Sequence, residues 1–282
     1  MKQTDELFRD MKLGADGIWG EISDYGEQEQ EKLLRDSVAN EHYSDHLLEI
    51  SKHHSIPVMD SEVESFISLI PVGGVVLDIG GCWGWHWRSV SQFRPDVTVV
   101  IVDLIRPNLM HAKEVLKDEL LQDKIFLVHG NACSLKFSDQ SFDGVWSVQT
   151  TQHIPNFLSV CTETFRVLKK NGIYWDYGLN NAFLIRQVYN LFRKTYHLNG
   201  EVVGAFFLRR INRSVLESVT KTFKNEPNVR YSEILFTPEL GLAFGGKEKS
   251  FLGRIDSFLS SKLKFWRLLA RQCSFHVKKT ID

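Results

Sequence analysis

The residues of this chain best suited to chemistry lie in one short stretch, GGVVLDIGGCWG at positions 73–84. An acid, Asp78, closes the apolar run 75–77, and Gly80, Gly81 and Gly84 follow it. A buried strand, an acid, a side-chain-poor turn and then a helix make a crevice for a nucleoside-type ligand. Glycine lets the backbone come close to the ligand, and a helix start offers it amide groups. A second acid, Asp103, ends the next apolar run, 97–102, 25 positions after Asp78. That is about the spacing at which an acid on a second strand reaches ribose hydroxyls.

The elements that must hold these residues are readable from apolar runs and their punctuation. Runs at 75–77, 97–102, 124–129, 144–148 and 173–177 read as five strands, each apolar enough to be covered on both faces. Helical spacing at 62–70, 85–93, 106–121 and 156–169 falls between them, with Pro107 in the first turn of one and Asn171-Gly172 as the stop of another. Strands alternating with helices imply an α/β fold. The expectation is a Rossmann-like, mostly parallel seven-stranded sheet with helices on both faces. Runs at 229–236 and 273–279 supply the last two strands.

Around that core the expected organisation is a helical extension and possible lid at 1–56, a core at 57–178, and a substrate-side region with a C-terminal helical insertion at 179–282. The extension carries Trp19 and Tyr25 and the four histidines His42, His46, His53 and His54. His42 and His46 are spaced as metal ligands on a helix can be, but no carboxylate-rich partner motif follows, so no metal is expected. Helices are expected at 182–196 and 214–223, with an apolar run at 202–208. At 251–270 the spacing predicts an amphipathic helix with Phe251, Ile255, Phe258, Leu259, Leu263, Trp266 and Leu269 on one stripe, opposite Lys264 and Arg267. It is expected to pack on the sheet, with contact to a membrane surface as the alternative.

Composition narrows the function classes. The chain has 282 residues, a net charge of −1 and 43% hydrophobic residues, which suits a packed globule and not a general nucleic-acid binder. Four scattered cysteines without a Cys-x-x-Cys pair argue against a disulfide framework or structural zinc. The charged N-terminus lacks a signal-peptide core, and no run is long enough to span a bilayer, so a cytoplasmic location is expected.

Four segments, in order, resemble the class I S-adenosylmethionine-dependent methyltransferases of the small-molecule branch: LDIGGCWG, VIVDLIRPNLMHAKE, HGNACSLKFSDQSFDGVWSVQTTQHI and FRVLKKNGIYWDY. The resemblance covers about residues 72–178. It implies S-adenosyl-L-methionine as cofactor, with Asp78 and the turn of Gly80, Gly81 and Gly84 at its methionine end. Asp103 would hold the ribose, Leu104 would lie beside the adenine, Asn131 and Ala132 would meet the adenine edge, and Ser147 would form the floor. Two positions depart from the family pattern: Cys82 replaces the middle glycine, and Asn131 stands where aspartate is commoner.

The implied activity is methyl transfer to a small-molecule, sugar or lipid-linked acceptor. His153, just after the fourth strand, is the candidate catalytic base, with Asp176 and Tyr177 behind it. The stretch SVQTTQHI lacks the Asn/Asp-Pro-Pro-Tyr signature of base methylation, so no nucleic-acid partner is expected. A non-catalytic binding module is the alternative. A nicotinamide-dependent oxidoreductase is disfavoured because the glycine spacing is not G-x-G-x-x-G, and an aminopropyltransferase because acids for a polyamine are few. The Trp83, Trp85 and Trp87 cluster around His86 is read as helix packing.

Overall fold

The computed structural model describes residues 6–22, 25–39, 48, 50–51, 54–196, 201–203, 206–234, 236–237, 242–243, 251–262, 265 and 268–281. His42, His46, His53, Leu263, Lys264, Trp266 and Arg267 lie outside the described residues, so the readings that depend on them end there.

A seven-stranded sheet is the centre of the molecule. Its strands are β1 (Val75–Ile79), β2 (Thr98–Asp103), β3 (Ile125–His129), β4 (Phe142–Val148), β5 (Leu168–Leu179), β6 (Asn228–Ser232) and β7 (Gln272–Lys278), in the spatial order 3-2-1-4-5-7-6. The first five are parallel, and β7 runs antiparallel to both β5 and β6. The chain reverses outward on either side of β1 and β4, and such a switch point opens a crevice at the strands' C-terminal ends.

The continuous apolar runs are explained by two cores. On one face Val75, Leu77 and Ile79 pack with Val100, Val102, Val160 and Phe223. On the other, Val76 packs with Phe66, Trp87, Val99, Leu109 and Trp146. The first core is covered by the helices Phe157–Val167 and Arg213–Phe223, the second by Ile56–Ile67 and Arg106–Val115.

Several elements depart from their expected form. Residues 85–93 are not one helix but a 3-10 turn, Trp85–Trp87, and a single α turn, Val90–Phe93, separated by Ser89 at φ −137°. The helix expected over 106–121 breaks at Leu116, and 202–208 forms a two-stranded ribbon, Glu201–Val203 with Phe206–Leu208. The helix Phe251–Lys262 buries Asp256, which accepts the Ile234 amide at 2.7 Å, and leaves Phe251 and Phe258 exposed. Its buried face is therefore centred on Ile255, Asp256 and Leu259, not on the full predicted stripe.

The N-terminal residues do more than extend the chain. Trp19 pairs in parallel with Val128: its amide donates to Leu127, and its carbonyl accepts from His129, both at 2.8 Å. Phe8 stacks on Trp19 with ring centroids 4.5 Å apart. This strap covers the otherwise open edge of β3, which removes an unpaired row of backbone donors and acceptors.

Candidate functional site

At the C-terminal ends of β1, β2 and β4 lies a cavity of about 370 Å³, within the roughly 300–1,000 Å³ of small-molecule sites. Gly80, Gly81, Cys82, Asp103, Leu104, Ala132 and His153 all line it. Asp103 is its best-anchored acid. One carboxylate oxygen accepts the Ile105 amide at 2.8 Å and the other the Cys82 amide at 2.9 Å, with Asn108 Nδ2 at 3.4 Å. The strand-end acid therefore fixes the glycine turn as well as facing the cleft. Burial pushes its pKa up, while the three hydrogen bonds pull it down. Cys82 sits at φ +51° in the left-handed region, where glycine is favoured, and burial keeps its thiol protonated.

The glycines are required by the chain's own packing. A Cβ on Gly80, at φ +68°, would meet Thr150 Cγ2 at 2.1 Å, and Thr150 Oγ1 donates to the Gly80 carbonyl at 3.0 Å. A Cβ on Gly81 would strike the Asp78 carboxylate at 2.3 Å, and one on Gly84 would strike Leu116 at 2.4 Å. Asp78 thus lies beneath the turn, fully buried, and does not line the cavity. One of its oxygens accepts the Trp87 indole N–H at 2.7 Å, and Oδ1 has no partner among the described residues.

Burial raises the Asp78 pKa from 3.8 to about 7, opposed by the Trp87 hydrogen bond. An acid with a raised pKa binds, in the folded chain, a proton the unfolded chain has released. Its contribution to stability therefore falls as pH rises from near 4 towards 7 and levels off above. We expect Asp78→Asn to gain on wild type by up to about 1.4 kcal/mol per pH unit across that window. Urea unfolding of both proteins from pH 4 to 8 measures it, and a pH-independent difference would contradict the buried-acid reading.

His153 stands at the cavity wall on a 3-10 turn, Thr151–His153. Its Nδ1 lies 3.0 Å from the Phe207 carbonyl and its Nε2 3.1 Å from the Gln152 side-chain amide. The carbonyl can only accept, so Nδ1 carries the proton and Nε2 the lone pair. Burial first, and the Arg35 charge second, lower its pKa to about 4, which keeps the ring neutral. Asp176 and Tyr177 are enclosed behind it. Asp176 accepts from Thr151 Oγ1 at 2.6 Å and Tyr174 at 3.2 Å, and Tyr177 donates to Glu233 at 2.7 Å.

The remaining predicted positions divide. Asn131 lies in an adjoining groove, and its Oδ1 already accepts from Gln28 Nε2 at 3.0 Å and from the Cys133 amide at 2.9 Å. Ser147 is fully buried in β4, and its hydroxyl has no partner among the described residues. Gly84 serves the turn from below.

The sequence reading missed the residues delivered by the helix Glu29–Ala39, which brings Glu31 and Arg35 to the cavity, with Gln28 just before it. Arg35 Nε pairs with Glu31 at 2.8 Å, and a second oxygen of Glu31 is buried without a partner. It also missed Gln149, whose Nε2 is buried without a partner, and Thr150. Trp83, Trp85 and His86 line the cavity as well as packing. Burial drives the His86 pKa well down, so its ring is neutral. Among the described residues no group of three or more His, Cys, Asp or Glu is placed to hold a metal.

Residues 77–175 match the family model described as a methyltransferase domain. The 24-methylenesterol C-methyltransferase 2 of Oryza sativa subsp. japonica is 31% identical over 145 residues, covering 51% of this chain and 39% of that protein. The squalene methyltransferase 1 of Botryococcus braunii is 30% identical over 150 residues, covering 50% and 39%. The chain thus spans about two fifths of the length of these relatives. Among solved structures, the phosphoethanolamine N-methyltransferase 2 of Haemonchus contortus, in complex with phosphomonomethylethanolamine and S-adenosylhomocysteine, superposes with a TM-score of 0.58. It covers 93% of this chain and 61% of that one at 15% identity, a likeness of fold. The fold is the one the four sequence segments imply, and the methyltransferase-domain match falls within the stretch that carries them, at residues 77–175.

Proposed function

We propose that this chain, whose residues 77–175 form a methyltransferase domain of the class I S-adenosylmethionine-dependent type, transfers a methyl group to a small, largely apolar acceptor. The observation that carries the reading is the cavity in which the glycine turn, Asp103, Leu104, Ala132 and His153 meet.

The residues present fit S-adenosyl-L-methionine. Asp103 holds acceptor lone pairs at the cavity wall beside the turn, suited to ribose hydroxyls, and Leu104 and Ala132 offer an apolar slot for the adenine. The oppositely charged Arg35 and Glu31 match the carboxylate and ammonium of the methionine end. Asp78, tucked under Gly81 and bonded to the Trp87 indole, would support that end from below, and Ser147 would pack in the floor. Asn131, in the adjoining groove with its Oδ1 taken by Gln28 and the Cys133 amide, would reach the adenine edge only through its amide nitrogen.

When bound, the cofactor supplies a methyl group already activated on a sulfonium. The chain's task is to align the acceptor and keep water out. The helix Glu29–Ala39 covers the cleft, and Ile50, Met59, Trp85, Val148 and Ile154 give it apolar walls beside the neutral His86. Such a lining favours an uncharged acceptor, in keeping with the relatives named for sterol and squalene methylation. His153 would take a proton at Nε2 once the Gln152 amide that donates to it gives way, its Nδ1–H being anchored on Phe207.

The test is transfer of a labelled methyl group from S-adenosylmethionine to farnesol, squalene and lanosterol, with ethanolamine as the charged control. We expect label in the apolar set only. His153→Asn should lower kcat about 100-fold with S-adenosylhomocysteine affinity retained, and full turnover in that variant would remove His153 as the base. Binding of NADH in place of S-adenosylhomocysteine would overturn the reading as a whole.

A further inference from the structure

The helix Phe183–Leu191 begins just after β5 leaves the sheet at its C-terminal edge, where β1, β2 and β4 also build the cleft. Its inner side is well held. Ile185 and Tyr189 are buried with Ala182 and Tyr196, and the Tyr196 hydroxyl donates to the Asn180 carbonyl and accepts the Ala182 amide, each at 3.1 Å. The Arg210 guanidinium lies 4.0 Å over the Tyr196 ring. A rigid support therefore presents the other side outward.

That outer side is not what a water-facing helix needs. Phe183 is 60% exposed, Leu191 81% and Phe192 58%. Large apolar side chains at this exposure along one short segment mark a surface that meets something apolar. Around them stand Arg186, Arg193 and Lys194, all exposed. Positions 180–200 carry no Asp or Glu at all. A second copy of the chain is disfavoured as the occupant, because a self-complementary contact would set these cations against their own equivalents. Aromatic and aliphatic tips beside cations, in a stretch without Asp or Glu, match the interface of a bilayer with anionic headgroups.

We propose that the outer face of Phe183–Leu191, continued through Phe192, Arg193 and Lys194, docks on an anionic phospholipid surface. It would place the cleft edge where an apolar acceptor dissolved in the bilayer can enter. The part concerning acceptor delivery rests on the proposed function; the docking itself does not. No helix among the described residues is long and apolar enough to cross a membrane, so the contact is interfacial.

The test is co-sedimentation of the full chain with vesicles of phosphatidylcholine alone and of phosphatidylcholine with phosphatidylserine, at low and high salt. Binding is expected to the charged vesicles and to weaken with salt. Arg193→Glu with Lys194→Glu should cut the bound-to-free ratio about tenfold or more. A second variant, Phe183→Ser with Leu191→Ser and Phe192→Ser, should also lose binding. Both variants change exposed residues and should keep the circular dichroism and S-adenosylhomocysteine affinity of wild type. No binding to charged vesicles, equal binding by both variants, or a wild-type dimer that either variant dissociates would overturn the proposal. Loss of S-adenosylhomocysteine binding in wild type would instead count against the proposed function, whatever the vesicles show.

Discussion

Asp103→Ala is expected to lower the affinity for S-adenosylhomocysteine about 100-fold or more. Two separate losses add up to that figure. In the proposed complex the carboxylate accepts ribose hydroxyls, and hydrogen bonds to a charged group contribute about 1.5–3 kcal/mol each. The same carboxylate holds the Cys82 and Ile105 amides at 2.9 and 2.8 Å, so its removal also releases the glycine turn. Cys82 is the position where release matters most, since its left-handed backbone, φ +51°, is held against its own preference. Asp103→Asn should fall between the two. Its one oxygen can serve Cys82 or Ile105 but not both, and its amide nitrogen meets a donor where an acceptor is needed. Calorimetric titration orders the three proteins. Binding by the alanine variant within threefold of wild type, with thermal stability unchanged, would place the ribose elsewhere. The Asp103 carboxylate would then be a turn anchor only.

This acid was readable from the sequence because its surroundings are regular. Strands covered on both faces show as unbroken apolar runs, and a polar residue at such a run's end marks where the chain reaches the cleft. Asp78 and Asp103 share that mark, yet only Asp103 lines the cavity. The difference lies in the turn: Gly81 passes so close over Asp78 that any side chain there would meet its carboxylate. No spacing rule reports which of two strand-end acids is roofed over. A possible lid was legible in residues 1–56, but which of its residues reach the cavity, Gln28, Glu31 and Arg35, was not, for another reason. Glu31 with Arg35 and Lys32 with Asp36 are i, i+4 pairs of the kind that lace solvated helices. The helix is brought to the cleft by contacts distant in sequence, among them Gln28 with Asn131, 103 positions away. The strap at Trp19 likewise joins the sheet through a two-bond bridge too short to leave a strand pattern. The readings of 85–93 and 106–121 as single helices failed at Ser89 and Leu116, which carry no proline or glycine to announce a break.

Glu233→Leu should be the most destabilising of the variants discussed, by about 3–5 kcal/mol. Glu233 is wholly buried and holds together three elements that meet behind the cleft. Its carboxylate accepts from Arg271 at 2.8 Å, from the Tyr177 hydroxyl of β5 at 2.7 Å, and from the Ser55 amide ahead of the helix Ile56–Ile67 at 3.3 Å. Arg271, 7% exposed at its side chain, also receives a backbone tie, its amide donating to the Glu233 carbonyl at 3.0 Å. Burial pushes the Glu233 pKa up, opposed first by the Arg271 charge and then by the hydrogen bonds from Tyr177, Arg271 and Ser55. Removing the carboxylate takes the counter-charge away from a buried guanidinium, which costs more than the pair contributes when intact. The double variant Glu233→Leu with Arg271→Met takes out both charges together and should recover most of the loss, because a well-packed apolar pair is close to neutral relative to a buried ion pair. Differential scanning calorimetry should then show Tm lowered by about 10 °C in the single variant and by a few degrees in the double. Equal losses in both would mean that the hydrogen bonds to Tyr177 and Ser55, and not the charge balance, hold this joint. S-adenosylhomocysteine affinity should survive in both proteins at temperatures where they are folded, since among the described residues the partners of Glu233 reach the cavity wall only through the neighbours of Ser55, His54 and Met59.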